Sequence, residues 1–202
     1  MRNTPKISVI VPFYKSANTI ERCVKSIFAQ KVDVMDVIFV DDRGNDGSFE
    51  KLTEILQKYP ERKGQVRIIR HEKNRGSAAA RQTGIENAIG EYTIQIDSDD
   101  YIDNDMLEKM YTACEETKSP VARVNRKLVT EGINVSFLSR AKQMKGYEVI
   151  IPSESDFLVE ETPGCTNKLF LREFVKGKSF PENLKWEDYP YEMKSIDDDK
   201  NY

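Results

Sequence analysis

"EYTIQIDSDDYIDND", residues Glu91 to Asp105, joins a strand-like segment to a crowded acidic loop. Apolar and polar side chains alternate from Tyr92 to Ile96, which is typical of a β-strand. The carboxylates that follow are Asp97, Asp99, Asp100, Asp103 and Asp105. Like charges this close together repel one another, so the fold alone gains nothing by collecting them. The crowding indicates that the end of this strand serves a ligand.

Asp97 and Asp99 are the pair with the most informative spacing. Side chains at i and i+2 point to the same side as a strand ends, and hard oxygen ligands suit Mg²⁺ or Mn²⁺. Asp103 and Asp105 are interpreted as helix caps, because acids favour a helix N-terminus. An EF-hand is excluded, since the sixth position counted from Asp97 is Ile102 and not glycine. The alternative is that the whole acidic loop only caps the next helix.

Outward from this loop, the first 116 residues repeat a pattern of strand, loop and helix. Three further segments are predicted as buried strands: "ISVIVP" (Ile7–Pro12), "DVIFV" (Asp36–Val40) and "VRIIR" (Val66–Arg70). The strands alternate with segments of helical length, which predicts an α/β fold with a mainly parallel sheet and helices on both faces.

Four helices are predicted from apolar periodicity. The first carries a capping-box spacing at Asn18 and Glu21, and the third runs from about Ser77 and is closed by Gly90 as a C-terminal cap. The second and fourth present apolar faces at Phe49, Leu52, Leu56 and Tyr59, and at Leu107, Met110, Tyr111 and Cys114.

Ligands of parallel sheets bind outside the carboxyl ends of the strands. Pro12 and Tyr14 close the first strand, and Asp41 and Asp42 close the second. We therefore expect these residues to meet the acidic loop at one edge of the sheet. Taken alone, Asp41 and Asp42 are explained equally well as turn residues.

Two other segments carry candidate residues. In "NRGSAAAR", Arg75 and Arg81 are candidates to pair with phosphates or with the acidic loop, and an ordinary surface role is equally compatible with their spacing. In "KWEDYPYE", aromatic residues surround Glu187 and Asp188, which suits either a sugar-sized pocket or an acidic turn. Neither GxGxxG nor GxxxxGK[ST] occurs, so dinucleotide and P-loop binding are not supported.

Composition excludes several classes of function. The 202 residues contain 31 Lys and Arg against 34 Asp and Glu, which argues against an electrostatic nucleic-acid binder. No apolar run approaches the roughly 20 residues that span a bilayer, so we expect a cytoplasmic location, in the cytosol or at the inner face of the membrane. Three cysteines and one histidine, without CxxC, predict reduced thiols and no zinc site.

Six segments in order carry a resemblance to a known family. They are "ISVIVPFYKSANTIERCVKSIFAQ", "VIFVDDRGNDGS", "NRGSAAARQTGIENAIGEY", "IQIDSDDYID", "NKLFLREF" and "WEDYPYE". Together they resemble the family 2 glycosyltransferases, which have the GT-A fold. The resemblance is close over residues 6–117 and looser over 164–193, and residues 119–160 match no pattern.

The resemblance implies roles for residues that bind the donor. Pro12 and Tyr14 resemble the positions that flank the nucleotide base and ribose. Asp42, with Asp41 beside it, resembles the carboxylate that accepts a hydrogen bond from the base, commonly uracil. Arg43 stands where a small residue is usual in the family, but no proposed ligand is lost by this difference.

It also implies a metal and a base. Asp97 and Asp99 match the metal and ribose motif, with Asp99 as the direct ligand of Mn²⁺ or Mg²⁺. Asp188 matches the catalytic base. Gln82 replaces a frequent asparagine, again without loss of a ligand.

The implied activity is inverting transfer of a sugar from a nucleotide diphosphate, such as a UDP-sugar, to a hydroxyl of a glycan or lipid-linked acceptor. We expect residues 1–117 to bind the donor and residues 118–202 to form an acceptor-side half of the same domain. No nucleic-acid partner is expected. Family members commonly continue beyond the equivalent of Tyr202, so the chain is either complete or C-terminally truncated, and any membrane association belongs to segments absent here.

Two alternatives remain open at this point. One is a module that binds a sugar nucleotide without turning it over. The other is a nucleotidyltransferase, which also uses an acidic metal loop but would need a basic, glycine-rich loop early in the chain; "VPFYKSANT" is not such a loop.

Overall fold

The structure is a computed structural model, and it describes residues 4–124, 148–149 and 165–178. Its strands are β1 (Ile7–Phe13), β2 (Met35–Asp41), β3 (Val66–Arg70), β4 (Tyr92–Gln95), β5 (Val121–Arg123), β6 (Glu148–Val149) and β7 (Lys168–Leu171). Its helices are α1 (Ile20–Phe28), α2 (Ser48–Leu56), α3 (Ser77–Asn87), α4 (Met106–Thr117) and α5 (Arg172–Val175), with a 3₁₀ turn at Pro60–Gln65.

These strands form one sheet in the order β3-β2-β1-β4-β7-β5-β6. The first four pair in parallel, with Ile7 opposite both Met35 and Tyr92. Strand β7 then pairs antiparallel with β4 and with β5. The predicted mainly parallel sheet is therefore confirmed, and residues from the second half of the chain extend the same sheet.

Alternation along the central strands builds a core on each face. Val9 and Val11 of β1 pack on the face that is covered by α1, α2 and α4. Ile10 points to the other face, where it meets Ile38 and the alanines of α3. Both faces of β1 and β2 are fully buried, which explains why these strands are almost continuously apolar. The predicted arrangement of helices on both faces is confirmed.

Helix α1 begins one residue later than the capping-box spacing predicts. Thr19 occupies the N-cap position, and no side chain caps the helix there. Glu21 forms ion pairs with Lys25 at 2.9 Å and with Lys51 of α2 at 3.3 Å. The prediction that Asn18 and Glu21 form a capping box is therefore wrong, because Glu21 joins two helices instead.

Gly90 does not cap α3. The helix ends at Asn87, and Ala88 takes the C-cap position in an extended conformation. Gly90 instead lies against β1, where an added Cβ would be 2.4 Å from the backbone nitrogen of Ser8. Its own N–H donates to Ser8 Oγ at 2.8 Å. Close approach of two backbones, and not a left-handed turn, explains the glycine.

Asp105 occupies the N-cap position of α4, but its carboxylate makes no capping hydrogen bond. It pairs with Lys109 at 2.8 Å, and the hydrogen bond from Lys109 lowers the pKa of Asp105. The Asp103 carbonyl accepts hydrogen bonds from Met106 N–H and from the Gln30 amide. Asp105 therefore takes the predicted N-cap position and stabilises the helix through an ion pair, whereas Asp103 contributes its backbone carbonyl.

All three cysteines are free and buried, as predicted. Burial raises the pKa of the Cys114 thiol to about 12, so this side chain is a protonated core residue at neutral pH. Among the helices in the described part of the chain, none is long and apolar enough to cross a membrane.

Candidate functional site

A cavity of about 610 Å³, which we call the main cavity, lies outside the carboxyl ends of β1, β2 and β4. Parallel pairing brings the ends of these strands together, although the sequence segments are far apart. The residues that line it are Pro12, Phe13, Tyr14, Lys15, Ser16, Thr19, Asp42, Asn74, Gly76, Ser77, Ala80, Arg81, Asp97, Ser98 and Asp99. The expected convergence on one edge of the sheet is thus present in the structure.

The loop after β1 forms one wall of the main cavity. Pro12 is buried at the end of the strand, whereas the Tyr14 side chain is 46% exposed. The ammonium of Lys15 lies 5.3 Å from the centre of the Tyr14 ring. An exposed aromatic face beside a polar cleft is suited to stacking against a planar ligand.

Ser98 ties the acidic loop to the loop after β1. Ser98 is buried, and its Oγ lies 2.7 Å from Ser16 Oγ in the loop after β1. Asp97, Ser98 and Asp99 all line the main cavity. The i, i+2 relationship expected from the sequence is present.

Arg81 of α3 holds the Asp97 carboxylate by a hydrogen bond. Its guanidinium is buried, and it donates to Asp97 Oδ1 at 2.7 Å and to Gln95 Oε1 at 3.1 Å. The sequence left open whether Arg81 pairs with a phosphate or with the acidic loop. In this structure it pairs with the loop while also lining the main cavity.

Asp99 is exposed, and its backbone is fixed by α1. Arg22 donates to the Asp99 carbonyl at 2.8 Å, and its guanidinium lies 4.5 Å from the centre of the Tyr101 ring. This contact holds the loop while leaving the Asp99 carboxylate at the surface of the main cavity. Sequence reasoning missed Arg22, because a lone arginine on a helix carries no recognisable pattern.

The negative potential of the acidic loop also acts on a buried thiol. The pKa of Cys23 is raised above its ordinary value, first by burial and then by the carboxylates of Asp100, Asp97 and Asp99. A cation bound between Asp97 and Asp99 would relieve the mutual repulsion of these carboxylates. Within the described ranges, no group of three or more Asp, Glu, His or Cys side chains is arranged to hold a metal.

Asp42 is buried and lines the main cavity behind the loop that follows β3. Its Oδ1 accepts the Arg75 N–H at 2.8 Å, and its Oδ2 accepts the Gly76 N–H at 2.8 Å. Nδ1 of His71 lies 2.8 Å from Asp42 Oδ1. Sequence reasoning considered His71 only as a possible zinc ligand and missed this contact. The missed signal is a histidine directly after β3, the strand that pairs with β2, because Asp42 directly follows β2.

Asp41 does not line the main cavity. Its Oδ2 lies 2.7 Å from Nε of Arg70, and its Oδ1 accepts the Arg43 N–H at 2.9 Å. The carboxylate borders a separate, smaller cavity of about 160 Å³. The two adjacent aspartates therefore point to different sides, as successive residues at the end of a strand do.

Arg75 is exposed, and the lining of the main cavity includes its neighbours Asn74 and Gly76 but not Arg75 itself. Its backbone contributes by donating to Asp42. Asp188 and Glu187 lie outside the described residues, so the predicted catalytic base remains a sequence-based prediction.

The fold is similar to that of solved glycosyltransferases. S. aureus TarS 1-349, crystallised in complex with UDP, matches with a TM-score of 0.75 and 27% identity over 95% of this chain and 55% of that one. The mannosyltransferase from Pyrobaculum calidifontis, crystallised with GDP-Man and Mn²⁺, matches with a TM-score of 0.69 and 20% identity, covering 96% of this chain and 52% of that one. The expected GT-A fold is confirmed.

Sequence comparison points the same way. The chain is 34% identical over 125 residues to the uncharacterized glycosyltransferase YibD of Escherichia coli, a match that covers 62% of this chain and 35% of YibD. The chain thus spans about a third of the length of this relative. The model of the family described as Glycosyl transferase family 2 matches residues 8–176, most of the chain. The expected family is confirmed, and the chain belongs to glycosyl transferase family 2.

Proposed function

We propose that this chain carries the donor site of an inverting glycosyltransferase, which moves a sugar from a UDP-sugar to a hydroxyl group with the help of Mn²⁺ or Mg²⁺. The observation that supports this most is the main cavity, in which Asp97 and Asp99 face the same space as Asp42 and Tyr14. A carboxylate pair of the kind that holds divalent metals therefore faces the same space as an aromatic ring and further polar side chains, at the carboxyl edge of a parallel sheet.

The proposed metal fits the side chains that are present. Mg²⁺ and Mn²⁺ are commonly held by one or two carboxylates, with the remaining positions filled by substrate phosphates and water. Asp99 would be the direct ligand, since its carboxylate is exposed to the main cavity, and Asp97 would lie beside it with one oxygen held by Arg81. When bound, the metal would neutralise charge that develops on the departing nucleotide diphosphate.

The nucleoside would lie against the loop after β1. Tyr14 and Pro12 supply flat surface for the base and ribose, and Asp42 supplies an acceptor for an N–H of the base. A uridine nucleotide is favoured because TarS, over the part that this chain matches, has a similar fold and was crystallised with UDP and with UDP-GlcNAc. Asp41 and Arg75 would contribute to the nucleoside site through their backbone: the Asp41 carbonyl accepts the His71 N–H, and the Arg75 N–H donates to Asp42.

The acceptor half is proposed to be built from residues 118–202, with Asp188 as the base. A base that deprotonates the acceptor hydroxyl allows attack from the face opposite the leaving diphosphate, which inverts the anomeric carbon. The acceptor is proposed to be a saccharide or a lipid-linked saccharide. Residues 1–117 would form the donor half of the same domain.

Calorimetric titration with UDP, GDP, UTP and CDP, each with and without Mn²⁺, tests the donor site. We expect UDP to bind and Mn²⁺ to strengthen its binding. A response confined to triphosphates would favour a nucleotidyltransferase instead. Incubation with UDP-sugars and saccharide acceptors, followed by product analysis, then separates an enzyme from a binding module, because only the enzyme forms a glycoside.

A further inference from the structure

His71 is a buried side chain that touches two different elements of the site. It follows β3 directly, and its backbone N–H donates to the Asp41 carbonyl at 2.9 Å. Nδ1 lies 2.8 Å from Asp42 Oδ1, and Nε2 lies 2.9 Å from Oγ1 of Thr83 in α3. His71 does not line the main cavity, whereas Asp42 does. A ligand in the main cavity would therefore contact Asp42 and not His71.

The chemistry of these contacts fixes the direction of the first hydrogen bond. An ionised carboxylate only accepts hydrogen bonds, so Nδ1 of His71 must carry the proton and donate to Asp42. In the neutral imidazole Nε2 is then an acceptor, and the Thr83 hydroxyl donates to it. Thr83 therefore holds the ring in the orientation that Asp42 requires, much as a third residue orients a histidine in other sites.

The two oxygens of the Asp42 carboxylate accept different numbers of hydrogen bonds. Oδ1 accepts from His71 and from the Arg75 N–H, whereas Oδ2 accepts from the Gly76 N–H. A carboxylate oxygen has about two acceptor positions. Counting only donors in the described residues, Oδ1 is filled and Oδ2 keeps one position, in a residue that lines the main cavity.

We propose that His71 is a positioning residue that holds Asp42 so that Oδ2 selects a nucleobase with a ring N–H, namely uracil over cytosine. The inference rests on the proposed function, since it assigns the base to Asp42. Uracil carries a hydrogen on N3, whereas N3 of cytosine is an acceptor and would face the carboxylate lone pairs. A buried carboxylate oxygen placed to accept a hydrogen bond from N3 discriminates against a base that presents a lone pair at that position.

The test compares UDP with CDP by calorimetry in the presence of Mn²⁺. Wild-type protein should prefer UDP, and His71→Ala should reduce the ratio of the two affinities by about tenfold, the worth of one shielded, charge-assisted hydrogen bond. The ratio of the UDP and CDP affinities is informative because general damage to the fold weakens the binding of both ligands alike. His71→Asn is the matched variant, since its amide N–H can replace Nδ1–H, and it should restore most of the preference. Thr83→Val, which removes the hydroxyl, should fall between the two.

Three other outcomes would contradict, in turn, the role of His71, base selection by Asp42 and the proposed donor. Unchanged UDP preference in His71→Ala would overturn the role of His71 while leaving the proposed glycosyl transfer intact. Equal binding of UDP and CDP by wild-type protein that still forms glycoside would overturn base selection by Asp42. Failure of wild-type protein to bind UDP at all would overturn the proposed donor, and this inference with it.

Discussion

Nη2 of Arg81 lies 2.7 Å from Oδ1 of Asp97 and so joins helix α3 to the end of strand β4. The two side chains differ in exposure, because Arg81 is 7% exposed and Asp97 is 33% exposed. Among the described residues, Arg81 donates its hydrogen bond to Oδ1 of the Asp97 carboxylate. The buried arginine therefore fixes one oxygen of Asp97 and leaves the other side of the carboxylate toward the main cavity.

Replacing Arg81 should loosen this carboxylate. In Arg81→Met, both Asp97 and Gln95 lose a donor, and we expect a loss of about 1–3 kcal/mol in unfolding free energy, less than for a fully buried pair because Asp97 is partly solvated. Metal-dependent UDP binding should weaken as well. Arg81→Lys keeps the charge but lacks the planar fork that reaches two acceptors, and should show a smaller loss. Denaturant unfolding and calorimetry measure the two effects, and wild-type values for both in Arg81→Met would contradict the assignment.

Asp99→Ala tests the metal. The side chain is exposed, and its removal relieves repulsion within the acidic loop, so the fold should keep its stability. Mn²⁺ should no longer strengthen UDP binding in the variant. Asp33→Asn removes the same charge from an exposed position in the loop before β2 and serves as the control. Equal Mn²⁺ dependence in wild type and Asp99→Ala, measured by calorimetry, would remove Asp99 from the proposed ligand set.

Asp42→Ala tests the base pocket. Loss of a shielded, charge-assisted hydrogen bond should weaken UDP binding by about 1.5–3 kcal/mol. The same change leaves His71 and the N–H groups of Arg75 and Gly76 without their acceptor, so we also expect a lower melting temperature. Ribose 5-phosphate, which has no base, is the control ligand, and its binding should change less than that of UDP. An unchanged UDP dissociation constant would limit Asp42 to shaping its loop.

The sequence predicted the sheet well because β1 and β2 are buried on both faces and therefore continuously apolar. It also predicted which strand ends meet, since parallel pairing leaves few alternatives. It could not predict which of Asp41 and Asp42 faces the main cavity, because the direction of each side chain depends on where strand β2 ends. Nor could it find His71, because its side-chain partners lie just after β2 and on α3 and are brought together only by tertiary packing.

Gly90→Ala tests the close approach of the segment before β4 to β1. An added Cβ would lie 2.4 Å from Ser8 N and 2.7 Å from the Ile7 carbonyl carbon, so backbone must move, at a cost of about 1–3 kcal/mol or more. Gly64→Ala is the matched control, since an added Cβ there meets nothing within 4 Å. Denaturant unfolding compares the two. Equal stability in both variants would show that the strands separate without strain.

The last prediction concerns Asp188, on which the proposed enzyme activity depends. Asparagine keeps the shape of the side chain and still accepts a hydrogen bond, but it cannot take a proton at neutral pH. If Asp188 is the general base, Asp188→Asn should slow sugar transfer by about 10²–10⁴-fold. UDP binding should survive, because the base faces the acceptor and not the diphosphate. Glu187→Gln is the matched control and should cost much less. The opposite ranking in a product-formation assay would assign the base to Glu187, and full activity in both variants would make "WEDYPYE" an acidic turn without a catalytic role.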